Sequence, residues 1–92
     1  MQKHKYVVVR TFSAGVHVGE LQQQNGKEVV LANARRIWSW KGANSLSEIA
    51  VHGVGPGSRV SDTVDEIMLT EAIEIITCTA ESEKNLRKAI WE

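Results

Sequence analysis

Cysteine is almost absent from this chain of 92 residues, in which Cys78 is the only one. A single cysteine excludes an internal disulfide and a cysteine-based metal site, and its place in an apolar run predicts a buried small side chain. The three histidines, His4, His17 and His52, are scattered and lack carboxylates at ligand spacing. We therefore expect no metal site, and no motif predicts any other cofactor.

Net charge is also absent, because eleven basic residues balance eleven acidic ones. A neutral chain has no overall field that attracts duplex DNA or an anionic membrane, so a phosphate site would need a local cluster of cations. The sequence shows neither a basic and apolar leader nor a long uncharged apolar run. These features predict a cytoplasmic protein without a membrane partner, and nucleic acid is not expected as a partner either.

A set of residues for catalysis is missing as well. No serine or cysteine lies in a nucleophile-elbow pattern, and Asp62, Asp65 and Glu66 have the spacing of a solvated turn. We therefore expect a binding protein that is not an enzyme and has no catalytic residues.

Strand-forming residues, by contrast, fill much of the chain. Its length allows one β-rich domain over residues 1–92 with a modest core. β-Branched and aromatic residues predict strands over residues 6–12, 16–21, 28–40 and 67–79. The predicted fold class is mainly β (α+β), a small antiparallel β-meander or barrel of four to five strands with one short helix.

Local signals mark the turns and helices. Asn25-Gly26 predicts a type I′ hairpin turn, and Gly19 predicts a bulge or a close approach of the backbone. A capping box, Ser45-Leu46-Ser47-Glu48, predicts a helix over residues 45–51. Residues 80–92 have a helix-forming composition and predict a short C-terminal helix or tail.

The predicted strand over residues 67–79 carries apolar side chains on both faces. One small sheet buries such a strand poorly, and a domain of this size has a marginal core. Together these points predict a homo-oligomer, either a dimer or a tetramer.

Arginine and tryptophan are concentrated in the third predicted strand. If this segment is extended, Arg36, Trp38 and Trp40 lie on one face, with Arg35 on the other. Indole faces stack nucleobases, and guanidinium groups bind phosphate with two parallel hydrogen bonds. The alternative is that one tryptophan belongs to the core and that both arginines are solvated or paired with Glu28 or Glu74.

Two further segments are weaker candidates for a ligand site. Ser13 and His17 flank a flexible turn whose hydroxyl and imidazole could bind phosphate, although such residues are also ordinary in turns. The segment from Gly55 to Arg59 could wrap a ligand with backbone amides and one cation. It does not match a P-loop.

The sequence also resembles a family of small bacteriophage proteins over most of its length, from about Tyr6 to Thr79. The resemblance rests on residues 9–17, on Asn33-Ala34-Arg35-Arg36-Ile37-Trp38 through Trp40, and on residues 42–47 and 69–76. Some members of that family are similar to anti-CBASS sponges, which bind the cyclic oligonucleotide signals of a bacterial immune system. The resemblance implies a phage immune-evasion protein that sequesters a cyclic dinucleotide or oligonucleotide without cleaving it.

The residues and the resemblance together give one set of candidate ligand contacts. The first-choice contacts are Arg35, Arg36, Trp38, Trp40 and Lys41, and the second-choice contacts are Ser13, His17, Asn44, Ser45 and Arg59. The resemblance implies a site shared between subunits in the cytoplasm of an infected cell.

The sequence departs from the family pattern in several places. Phe12 and Ser39 stand where relatives are expected to have tyrosine, Thr77 stands in place of proline, and the loop over residues 54–61 is short. These changes leave open which cyclic nucleotide is bound.

Two other functions stay open. A small barrel that binds single-stranded nucleic acid would use the same aromatic and basic residues. A structural or adaptor oligomer would instead bury its tryptophans in a subunit interface.

Overall fold

The structure is a computed structural model that describes residues 5–90, which form an antiparallel sheet and two helices. The elements are β1 (Tyr6–Thr11), β2 (Val16–Asn25), β3 (Glu28–Ser39), α1 (Leu46–His52), β4 (Arg59–Val60), β5 (Val64–Leu69), β6 (Ala72–Thr77) and α2 (Ala80–Lys88). The strand order is β4-β3-β2-β1-β6, and β5 also pairs with β3. The mainly β fold class is therefore confirmed, with six strands and two helices instead of four to five strands and one helix.

The long strand predicted over residues 67–79 is in fact the end of β5 and all of β6, two strands that Thr70 and Glu71 separate. β5 pairs with β3, and β6 pairs with β1. Both faces carry apolar residues because the sheet has a core on each side. Ile75 packs against one core, and Ile76 packs against the other. The two cores therefore bury part of this apolar surface, whereas Met68 and Ile73 remain exposed.

The two cores lie on opposite faces of the sheet. We call the first the helix-side core, because α1 and α2 cover it; its members are Tyr6, Val8, Val18, Ile37, Ile49, Ala50, Val54, Val60 and Leu86. We call the second the barrel-side core, a name that denotes only the sheet face opposite the helices; its members are Val7, Val9, Val29, Leu31, Ala34, Leu69 and Ala72. Alternate residues of β1 enter alternate cores, as the period of two along a strand requires.

The turn between β2 and β3 lies one residue later than predicted. Asn25 pairs with Glu28, so Gly26 and Lys27 are the two central residues of the turn. Gly26 has a φ of 62°, whereas Lys27 has no positive φ. A positive φ at the first central residue alone fits a type II′ turn, so the predicted type I′ turn is wrong.

A β-bulge in β3 changes which side chains face which core. The pairing between β2 and β3 shifts between Val18 and Glu20, and Asn33 has a φ of 49° there. Leu31 and Ala34 both enter the barrel-side core although three residues separate them. The bulge therefore directs Arg36 to the barrel side, and unbroken alternation would have sent Arg35 there instead.

Gly19 permits this bulge. A Cβ at Gly19 would lie 3.1 Å from the Ala32 carbonyl oxygen and from the Ala34 Cα. Such spacing leaves no room for a larger residue without a backbone shift, which confirms the predicted close approach.

Both helices begin with a side-chain cap. The Ser45 hydroxyl accepts a hydrogen bond from the Glu48 amide (3.4 Å), and the Thr79 hydroxyl accepts one from the Ser82 amide (3.1 Å). The predicted helix over residues 45–51 is thus present as α1. α2 fills most of the predicted tail, whose residues 91–92 lie outside the described part, as does His4. No helix between residues 5 and 90 has the length and apolar character to cross a membrane.

Candidate functional site

Arg36 and Trp38 form a stacked pair on the barrel side of β3. The Arg36 guanidinium carbon lies 4.7 Å from the centre of the Trp38 ring, within the range of a cation–π interaction. Arg36 Nη2 donates a hydrogen bond to the Ala14 carbonyl (2.7 Å). A Cβ at Gly15 would lie 3.4 Å from Arg36 Nε and Nη2, so the glycine backbone packs against the guanidinium. We call these four residues the Arg36–Trp38 face.

The Arg36 guanidinium keeps most of its hydrogen-bonding capacity. The group has five N–H donors, and the bond to Ala14 uses one of them. No carboxylate among residues 5–90 pairs with Arg36, and its other side-chain donors have no partner in that part of the chain. Arg36 is therefore a positioned cation that could bind an anion with two parallel bonds.

Ser61, which the sequence did not single out, holds the Arg36 backbone. Its hydroxyl accepts a hydrogen bond from the Arg36 amide (2.8 Å), and its own amide donates to the Arg36 carbonyl (2.8 Å). No local signal marks Ser61 in the sequence, because its role depends on a pairing across 25 residues.

Arg35 lies on the opposite face and has a different role. Its side chain is directed to the helix side, and the residue is only 7% exposed. Nε donates to the Ser61 carbonyl (2.8 Å), and Nη1 donates to the carbonyls of Leu86 (2.7 Å) and Arg87 (3.3 Å). These carbonyls of α2 are ones that the helix itself leaves unpaired. The geometry makes Arg35 a structural residue and gives no support to its predicted phosphate contact.

The structure does not show the alternative, in which Arg35 or Arg36 forms an ion pair with Glu28 or Glu74. Glu74 pairs with Arg10, at 3.6 Å between Nη1 and Oε1. Arg36 instead stacks on Trp38, and Arg35 bonds to carbonyls.

Trp38 and Trp40 do not share a face, contrary to the prediction. Trp38 is 57% exposed, whereas Trp40 is partly buried against the helix-side core. The alternation breaks where β3 pairs with β4, because the register shifts between Ile37 and Ser39. The alternative that one tryptophan belongs to a core is confirmed, and that tryptophan is Trp40.

Lys41 lies against the loop that runs from Gly55 to Arg59. The backbone groups of Lys41 are already used in hydrogen bonds to this loop. The Lys41 amide donates to the Ser58 hydroxyl (2.9 Å), and its carbonyl accepts from the Gly55 amide (2.7 Å). A Cβ at Gly57 would lie 3.2 Å from Lys41 Cδ, so the lysine side chain runs along the loop. Arg59 follows on β4, opposite Ser39.

The remaining second-choice residues divide between the two faces. Asn44 and Ser45 are exposed just before α1, on the helix side, and the Ser45 hydroxyl is used as the helix cap. Ser13 lies in the turn beside Ala14, where its hydroxyl donates to Glu71 Oε1 (2.7 Å). Of these residues, only Ser13 is in a segment that contacts Arg36.

His17 is the second-choice residue that lies beside Arg36. The two residues are direct partners across β2 and β3, so their side chains point to the same face. His17 is 4% exposed, and burial, reinforced by the Arg36 charge, lowers its pKa below the ordinary 6.5. The imidazole is therefore neutral at pH 7 and adds no second cation to the site.

A small pocket adjoins this pair. Its volume is about 130 Å³, and its walls are His17, Ala34, Arg35, Arg36, Ser61, Val64 and Ile67. The described residues hold no cluster of three or more His, Cys, Asp or Glu that could bind a metal. The site thus consists of an exposed indole, a half-buried guanidinium and an imidazole-lined pocket.

These features define a small antiparallel β domain with an arginine–tryptophan stack at one end of its barrel side. The family described as "Domain of unknown function (DUF6948)" matches residues 4–86. Because this match covers most of the chain, the protein belongs to that family. No curated protein and no solved structure matches the chain.

Proposed function

We propose that this protein binds a cyclic dinucleotide or a related cyclic oligonucleotide and sequesters it without cleaving it. The observation that supports the proposal is Arg36, which Trp38 and Ala14 hold in place while most of its donors lack partners within residues 5–90. Such a ligand combines phosphates with flat bases. Guanidinium groups bind the former, and indole rings stack on the latter.

The pre-positioned state of Arg36 favours tight binding. A flexible arginine loses side-chain entropy when it binds phosphate, roughly 0.5–1.5 kcal/mol for an immobilised side chain. Arg36 is already ordered by the indole and by the Ala14 carbonyl. Much of that cost is therefore met during folding.

The resemblance to phage anti-CBASS sponges implies the same class of ligand. A sponge acts by mass action in the cytoplasm of the infected cell, where it competes with the effector for the signal. This mode of action requires tight binding and abundance instead of turnover. A site with stacking and clamping groups suits that task without any catalytic residue.

We further propose that a dimer or tetramer shares this site between its subunits. Several large apolar side chains are exposed on the sheet and its turns: Phe12, Trp38, Val64, Met68 and Ile73. A second subunit would cover part of this surface. Light scattering should then give a multiple of the 10.2 kDa chain mass, and a monomer at micromolar concentration would contradict the shared site.

Titration calorimetry with a cyclic dinucleotide tests the proposed binding directly. Arg36→Lys should weaken binding by about tenfold or more, since a point charge cannot reproduce the bidentate fork. Trp38→Ala should weaken binding by roughly 1–3 kcal/mol, the usual range for stacking on an exposed aromatic ring. The ligand recovered after heat denaturation should be intact.

Control variants at exposed positions away from Arg36 and Trp38 show whether a loss of binding is specific to the proposed site. Arg10→Lys changes an exposed arginine that pairs with Glu74, and Val51→Ala removes an exposed apolar side chain from α1. Both variants should bind as tightly as the original protein. The proposal fails if Arg36→Lys and Trp38→Ala bind equally well, if the ligand emerges linearised, or if only a single-stranded RNA oligonucleotide binds.

A further inference from the structure

His17 is a buried imidazole that forms no hydrogen bond within the described chain. It is 4% exposed, its Nδ1 is shut off from solvent without a partner, and neither ring nitrogen bonds to a residue of 5–90. A buried polar group that is left unpaired destabilises the folded protein, because it has lost its hydrogen bonds to water. Such groups are few in native structures. Nδ1 is out of reach of a bound molecule, so the second ring nitrogen, Nε2, is the atom to which a molecule with a polar edge can hydrogen-bond.

The pocket beside His17 has the size of a single ring. Its volume of about 130 Å³ is far below the roughly 300–1,000 Å³ of sites for whole small-molecule ligands. It is close to the engineered cavity of about 150 Å³ that holds one benzene molecule. A complete nucleotide therefore does not fit, but one ring of a nucleotide does.

The walls of the pocket are partly apolar and partly polar. Ala34, Val64 and Ile67 provide apolar surface, while His17 and Ser61 provide polar groups. Ser61 already binds the Arg36 backbone through its hydroxyl and amide. Apart from the Arg36 guanidinium, the imidazole is therefore the wall group with unused hydrogen-bonding capacity. Because a neutral imidazole has one donor and one acceptor, it suits a ring with a polar edge.

Arg36 stands at the border between this pocket and the Arg36–Trp38 face. It lines the pocket, stacks on Trp38 and is the cross-strand partner of His17. A ligand phosphate on the free guanidinium donors would therefore lie next to the pocket. The ring attached to that phosphate would be close enough to enter it.

We infer that the His17 pocket is a base-recognition subsite, which takes the polar edge of one nucleobase while Arg36 binds the adjacent phosphate. This inference rests on the proposed function and adds the part of the ligand that determines specificity. His17, Val64 and Ile67 would thus select among cyclic nucleotides that differ in their bases.

Two variants on exposed valines test the pocket without disturbing the cores. Val64 is 48% exposed at the pocket, and Val51 is 44% exposed on α1, on the other side of the sheet. Val64→Phe should block the pocket and weaken cyclic dinucleotide binding by about tenfold or more, whereas Val51→Phe should leave it unchanged. His17→Gln should reduce the preference between cyclic dinucleotides that differ only in their bases. Both pocket variants should still bind inorganic pyrophosphate, which Arg36→Lys should weaken.

Nitrogen-15 NMR of the histidine rings tests the pocket without any phosphate. Free adenine, cytosine or uracil at millimolar concentration should shift the His17 ring nitrogens in the original protein but not in Val64→Phe. If none of the three bases shifts them, the inference is overturned whatever the calorimetry shows. If cyclic dinucleotides bind through Arg36 but Val64→Phe and His17→Gln keep their affinity and base preference, the inference fails and the proposed function stands. If the free bases bind but cyclic dinucleotides do not, the proposed function fails and the pocket remains a site for a planar ring.

Discussion

The two faces of β3 place neighbouring arginines in opposite situations. On the helix side, Arg35 is buried and donates to three backbone carbonyls, two of them at the end of α2. On the barrel side, Arg36 is half-buried, donates to one carbonyl and stacks on an exposed indole. The same residue type therefore joins a helix to the sheet on one face and offers unused donors on the other.

The difference shows what separates a structural cation from a binding one. A buried guanidinium is tolerated when its donors form hydrogen bonds. Removing it leaves the carbonyl acceptors without a hydrogen-bond donor. A guanidinium that is ordered but not satisfied contributes little to folding and is free to bind an anion. Hydrogen-bond partners, and not position in the sequence, thus distinguish Arg35 from Arg36.

The largest expected effect is the difference in stability between two variants, each of which lacks one of these arginines. Arg35→Ala should reduce the free energy of unfolding by about 3–5 kcal/mol, because one buried and two partly buried hydrogen bonds from a charged donor are lost and a cavity forms. Arg36→Ala should cost about 1 kcal/mol or less, since it removes one hydrogen bond and one cation–π contact. Urea denaturation followed by circular dichroism measures both values. Equal losses for the two variants would remove the distinction between the faces.

A smaller difference is expected between the two tryptophans of the same strand. Trp40→Ala should destabilise the fold by about 2–3 kcal/mol, below the cost of a fully buried tryptophan, because Trp40 is only partly buried against the helix-side core. Trp38→Ala removes an exposed side chain and should change stability by about 1 kcal/mol or less. Thermal melts of both variants give the comparison. A greater loss for Trp38 would mean that this ring supports the fold.

Local patterns in the sequence were sufficient for the fold class and for much of the arginine–tryptophan pair. β-Branched residues predicted β1, β2 and β3, and the capping box predicted α1. Alternation placed Arg36 beside Trp38, as observed. These features depend on neighbours within a few residues, where the period of a strand or a cap is directly visible.

Features that depend on distant pairing were missed. The sequence suggested one strand in place of β5 and β6 because Thr70 and Glu71 are not strong turn residues. Trp40 was placed on the wrong face because the shift at β4 depends on a strand of two residues. The roles of Ser61 and of the pocket around His17 arise from contacts between β2, β3, β5 and the segment before β5. No short window of sequence contains these contacts.

The smallest expected effect is a pH dependence of stability that comes from the barrel face alone. Burial, followed by the Arg36 charge, lowers the pKa of His17 in the folded protein below the ordinary 6.5. The unfolded chain therefore takes up this proton at a higher pH than the folded protein does. By linkage, the contribution of neutral His17 is complete above pH 6.5 and is lost as the pH falls through the folded pKa.

His17→Gln tests this dependence because glutamine does not titrate. The free energy of unfolding should fall more steeply for the original protein than for His17→Gln between about pH 7.5 and about pH 5.5. His52→Gln is the matched control, since His52 is an exposed histidine on α1, 3.2 Å from Glu81. The carboxylates are common to all three proteins, so their titration cancels in the comparison. Arg36 is the charged side chain that faces His17 across β2 and β3. Parallel pH profiles for the original protein and His17→Gln would show that the imidazole is not held neutral beside Arg36.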